Sequence, residues 1–174
     1  MYLVGIRLDP GSPGPQFFTL IAHDGNAGRP LVVNGRILFF STPALASHVA
    51  QIAAQDSGSS GSNGGALSMQ NPPLSGQIDV LCDVAESLFL VNSQAEDADG
   101  VLLDCIDFLD DLVRATELSV PATYMAVLNT LAERLEQNPE FGSYLDEHGI
   151  DRESIEDAIM WCVGAVAVKS TWVG

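Results

Sequence analysis

The sequence predicts an α+β fold: a small N-terminal antiparallel β-sheet with one helix, packed on a C-terminal bundle of about four to five helices. Three observations carry that expectation. Short runs rich in aromatic and β-branched residues, divided by Pro/Gly turns, fill residues 1–40. Apolar residues recur at helical spacing from Ile78 onward. Between the two lies a Gly/Ser-rich stretch, residues 56–76, whose one charged residue is Asp56.

The front is read strand by strand. "YLVGIRL" (Tyr2–Leu8) and "QFFTLIAH" (Gln16–His23) have strand composition, and the "DPGSPGP" between them cannot continue either one. "DGNAGRP" turns the chain into "LVV", and Asn34-Gly35 is a two-residue hairpin signal leading into "RILFF". In "STPALASHVAQIAAQ" Thr42 is a good helix N-cap and Pro43 suits the first helical position. Leu45, Val49 and Ile52 then share one face.

The back reads as helices throughout. "IDVLCDVAESLFLV" places Ile78, Leu81, Cys82, Ala85, Leu88 and Phe89 on one face. In "DGVLLDCIDFLDDLVRAT" the apolar face is Leu102, Cys105, Ile106, Leu109, Leu112 and Val113. Asp104, Asp107 and Asp111 lie opposite it. Pro121 opens a helix with Tyr124, Leu128, Leu131 and Leu135 in register, and Asn138-Pro139 closes it. A short helix near Phe141–His148 stops at Gly149. Asp151 caps the last helix, with Ile150 and Ile155 at the spacing of a hydrophobic staple. From Ala158 that helix is apolar on all sides, which predicts a place at the centre of the bundle.

These elements divide the chain into a sheet-and-helix unit (1–55), a flexible linker (56–76) and an acidic helical unit (77–174). The front unit is near the lower size for independent folding, and its single helix covers one sheet face only. One packed body is therefore expected, with the linker as a surface excursion.

Charge narrows the function. The net charge is −16, and residues 77–174 hold twenty of the twenty-three acidic residues and four of the seven basic ones. Such a balance works against nucleic acid and anionic membranes, whose contacts rely on Lys and Arg. It suits a basic protein partner or divalent cations, and it also keeps a chain with 47% hydrophobic residues in solution. Met1 leads straight into strand-like sequence with no signal-peptide pattern, and the longest apolar stretch, Ala158 to Val168, is too short to cross a bilayer. Cys82, Cys105 and Cys162 read as reduced core residues of a cytoplasmic protein.

The residues with chemical potential are few. His23 adjoins Asp24, but neighbouring strand residues point to opposite faces and are poorly placed to share a proton. His48 lies at the edge of a buried helical face, and His148 suits a helix C-terminus. Arg29 and Arg36 flank the Asn34-Gly35 turn and could hold an anion. No zinc, EF-hand, nucleophile-elbow or P-loop pattern occurs, so no cofactor is expected. The stripe Asp104, Asp107, Asp111, with Asp110 beside it, has three readings: a solvated face, a docking face for a basic partner, or a divalent-metal site completed by a second helix.

Two functions follow. One is a non-enzymatic interaction or regulatory module, of the inhibitor or immunity kind, with an acidic helical face. The alternative is an enzyme or small-molecule binder with its site between sheet and bundle, drawing on His23, His48, Arg36 and Asp24. Convergence of those four in one concave pocket would favour the second.

Overall fold

The computed structural model describes residues 1–24, 27–59, 77–93 and 95–174. Strands β1 (Tyr2–Arg7), β2 (Phe17–Asp24), β3 (Ala27–Pro30), β4 (Val32–Val33) and β5 (Arg36–Phe40) come first, followed by helix α1 (Pro43–Ser59). Strand β6 (Val80–Asp83) precedes helices α2 (Val84–Ser93), α3 (Val101–Thr116), α4 (Ala122–Gln137), α5 (Gly142–His148) and α6 (Arg152–Val168). Strand β7 (Ser170–Val173) follows them. The fold is α+β, as its sequence predicts.

The sheet has seven strands along the path β4-β5-β2-β1-β6, with β3 on β2 and β7 on β5. Strict alternation splits its side chains between two cores. Val4, Ile6, Ile21, Ile37 and Phe39 face the helices that follow residue 84. Leu3, Phe18, Leu20 and Phe40 face Ala46 and Ala50 of α1. The result is three layers: α1, the sheet, then α2–α6. Both predicted turn devices are present. Asn34 and Gly35 take φ of 53° and 72°, the left-handed pair that a two-residue hairpin needs. The Thr42 hydroxyl oxygen accepts from the Leu45 N–H at 3.3 Å, capping α1.

The sheet is mixed rather than antiparallel, because the back of the chain supplies two parallel strands. Val4 to Arg7 of β1 pair with Val80 to Asp83 of β6, and Ile37 to Phe40 of β5 pair with Ser170 to Val173 of β7. The expected helix from Ile78 is thereby corrected to a strand followed by a shorter helix. Backbone pairing wins over helical periodicity here: the Asp79 N–H donates to the Leu3 carbonyl, and Asp79 Oδ2 accepts from the Leu3 N–H at 2.7 Å. Asp83 Oδ1 then accepts from the Glu86 N–H at 3.0 Å, so α2 starts after it. The predicted face shifts accordingly. Leu81 and Phe89 are exposed, while Leu90 and Val91 are buried.

Helix α1 runs to Ser59, past the boundary expected at residue 55, and residues 60–76 of the linker reading lie outside the described residues. Helix α6 is corrected more sharply. It packs on α2, α3 and α4 through Ile155, Ala158, Ile159, Cys162, Ala165 and Val166. Met160 and Val168 nevertheless face outward at 51% and 68% exposure, and Trp161 is only partly buried. The apolar run conceals a two-sided helix, because Gly164 and Ala167 on its outer side expose little apolar area.

Candidate functional site

Helix α3 builds the candidate site. All six residues of its predicted apolar face are buried. Its first turn is fixed from outside by Asp97, itself buried, whose Oδ1 accepts from the Leu102 N–H at 3.0 Å and whose Oδ2 accepts from the Leu103 N–H at 3.1 Å. A carboxylate at a helix N-terminus also meets the positive end of the helix dipole.

The acidic stripe on the other side of α3 divides by role. Asp104 and Asp107 reach solvent. Asp110 forms an ion pair with Arg114 one turn further on. Asp111 Oδ2 accepts from the Gly28 N–H of β3 at 3.2 Å, which ties α3 to the sheet. A Cβ on Gly28 would collide with that same oxygen, so a larger residue there would push the carboxylate out of its present position. An open groove runs between α3 and the start of β1. Met1, Tyr2, Val80 and Phe108 give it apolar surface, and Asp104, Asp107 and Asp111 give it carboxylates.

The electrostatics of this groove are one-sided. The Asp107 carboxyl is held above the usual carboxylate range, first by partial burial and then by the negative charges of Glu136, Asp104, Asp110 and Asp111. The Tyr2 hydroxyl is likewise pushed up by burial and by Asp111. Among the described residues no group of three or more His, Cys, Asp or Glu side chains is arranged to hold a metal ion.

Of the remaining candidates whose side chains are described, Arg36, Arg29 and His48 stand apart from one another. Arg36 is exposed, but its guanidinium is committed to the end of α6 and to β7. It donates to the carbonyls of Val168 and Ser170 at 3.0 Å each, and to Thr171 Oγ1 at 3.1 Å. The carbonyl that ends α6, at Val168, is thus satisfied by a cation, a structural duty that competes with anion binding. His48 is exposed on α1, on the other side of the sheet from α3. Arg29 is exposed on β3. The side chains of His23 and Asp24 lie outside the described residues. His148 Nδ1 lies 3.0 Å from the Tyr144 carbonyl and its ring stacks on Tyr144, a helix-end arrangement. The three cysteines are free and buried; burial, followed by the charge of Asp110, pushes the Cys162 thiol up to about 11.

Two residues that organise this region escape a reading by motif. Asp97 and Gly28 act through backbone contacts, and Gly28 meets Asp111 across 83 positions of sequence. The chain matches no protein-family model, and no curated protein and no solved structure shows significant similarity to it.

Proposed function

We propose that the chain is a non-enzymatic protein-interaction module of the inhibitor or immunity kind, whose acidic side of α3 receives a basic segment of a partner protein. The observation that carries this reading is the crowding of carboxylates around Asp107, where burial and four like charges raise the cost of its ionised form. A Lys or Arg brought into the groove relieves that cost, and the apolar surface of Met1, Tyr2 and Phe108 suits the aliphatic stem of such a side chain. The chain's own cations are largely committed elsewhere. Arg7 pairs with Asp83, Arg36 holds the Val168 carbonyl at the end of α6, Arg114 pairs with Asp110, and Arg134 donates to the Glu140 carbonyl. No helix among the described residues is long and apolar enough to cross a membrane, and three free, buried thiols fit a cytoplasmic setting.

The test is a titration of a labelled Lys/Arg-rich peptide with the full chain at low and at physiological salt. Binding should weaken steeply with salt, and Asp104→Asn with Asp107→Asn should reduce affinity at low salt by about tenfold. Affinity that ignores both salt and the double substitution would sink the proposal. Asp111 is left intact in this test because it anchors Gly28.

A further inference from the structure

Two buried thiols meet where β6 lies against α3. Cys82 and Cys105 are both free and buried, and the Cys82 thiol donates to Cys105 Sγ across 3.8 Å. A disulfide holds its sulfurs about 2.05 Å apart, so the two side chains need to close by about 1.8 Å. The Cys105 thiol is held below its usual range, first by that hydrogen bond and then, against the effect of burial, by one from Ser87. The same bond, followed by burial, pushes the Cys82 thiol well up. Cys105 is therefore the better nucleophile of the two.

A route reaches this pair from outside. Between the sheet, α3 and α6 runs a narrow gap of about 60 Å3, with Cys82 in its wall beside Ile6, Phe108 and Val166. Leu8 and Trp172 also line it and are exposed, so the gap opens to solvent. A water needs roughly 10–15 Å3 on this scale, so the gap passes a molecule of two oxygens and stops anything of peptide size. Its apolar walls favour a neutral visitor over a charged one. Hydrogen peroxide meets both conditions.

We propose that Cys82 and Cys105 form a modification site, which hydrogen peroxide converts to a reversible disulfide that staples β6 to α3. Cys82 Sγ, the sulfur beside the gap, attacks one peroxide oxygen. The O–O bond breaks, the other oxygen leaves as water with the Cys82 proton, and Cys82 becomes a sulfenic acid. Cys105 Sγ then attacks Cys82 Sγ. The S–S bond forms, the S–O bond breaks, and a second water leaves with the Cys105 proton. The two thiols are oxidised by two electrons, which the peroxide takes up. The new bond spans 23 positions of sequence and joins the two sides of the acidic groove, since Val80 of β6 and Asp104 of α3 both line it. This site does not depend on the basic-partner reading of α3.

The experiment exposes the full, reduced chain to hydrogen peroxide and, separately, to glutathione disulfide, which is too large and too charged for the gap. After peroxide, the thiols counted in denaturant should fall from three to one. Cleavage after Glu86 and Glu96, which lie between the two cysteines, should release their peptides still joined, and dithiothreitol should part them. The oxidised chain should melt about 5 °C above the reduced one. Glutathione disulfide should leave the folded chain unlinked over the same time. Cys105→Ala should abolish the joined peptide, and the mapping of the unaltered chain decides the matter if that variant folds poorly. Retention of all three thiols, or a bridge that uses Cys162 instead, would overturn the proposal. An unchanged or lower Tm would overturn the staple, and an equal yield from glutathione disulfide would overturn entry through the gap.

Discussion

Arg7 and Asp83 face each other across the parallel pairing of β1 and β6, with Arg7 Nη1 2.8 Å from Asp83 Oδ2. The carboxylate is almost wholly buried and has a second duty, since its other oxygen caps α2 at the Glu86 N–H. One side chain thus joins the front of the chain to the back and starts a helix.

Removing Asp83 should therefore cost more than either duty alone. Asp83→Ala is expected to destabilise the chain by about 3 kcal/mol, through a lost cap and an Arg7 guanidinium left without its partner. Asp83→Asn keeps a capping oxygen and should cost roughly half as much. Urea denaturation checks both values, and equal losses for the two variants would separate the cap from the pair incorrectly.

Gly28 and Asp111 should behave as a coupled pair. Gly28→Ala drives a methyl group into the Asp111 carboxylate and is expected to cost about 2 kcal/mol. In an Asp111→Ala background the same change should cost about 1 kcal/mol less, because the obstructing oxygen is gone. A double-mutant cycle with zero coupling would remove this contact from the anchoring of α3.

Arg36→Ala should loosen β7 and the last turn of α6 together, at about 1–2 kcal/mol, since charge-assisted bonds to three oxygens are lost. Arg36→Lys should rescue little of this, because a single ammonium cannot reproduce the planar guanidinium fork. Trp172 emission in a Trp161→Phe background reports the strand directly, and an unchanged spectrum would contradict the assignment.

Asp107 predicts a pH dependence of definite sign. Its carboxyl pKa is raised in the folded chain, so the native state holds the proton more tightly than the unfolded state does. Its contribution to stability is present below the unfolded carboxyl pKa of about 3.9 and is lost as pH rises through the folded value. Asp107→Asn should accordingly stabilise the chain near neutrality by about 0.3 kcal/mol, an amount set by solvent screening of an exposed group. The gain should vanish in acid. Denaturation midpoints at pH 7 and pH 3 check the trend, and a loss of stability at neutral pH would reverse the sign.

The sequence was most legible where one element satisfies itself. The buried face of α3 follows from spacing alone, and Asn34-Gly35 announces its own hairpin. Strands β6 and β7 are four residues each, too short for alternation to show, and each pairs with a strand far away in sequence. A local sign was present for one of them: Asp83-Val84-Ala85-Glu86 has the spacing of a capping box and marks where α2 begins. In the candidate site, the acidic stripe of α3 was visible as a stripe. Its division into free and anchoring carboxylates was not, because that depends on Gly28 approaching from a strand with no local sequence relation to it.

The parallel strands at the two flanks impose an order on synthesis. While the ribosome has delivered only the first five strands and α1, the unpaired sides of β1 and β5 stay open, and Val4, Ile6, Ile21 and Phe39 lack their helical cover. The flank beside β1 closes when residues 80–83 emerge, and the flank beside β5 waits for residues 170–173. Such long-range closure slows folding and prolongs the life of a nascent species with adhesive edges. The strand order itself thus keeps both flanks of the nascent sheet open until distant parts of the chain arrive.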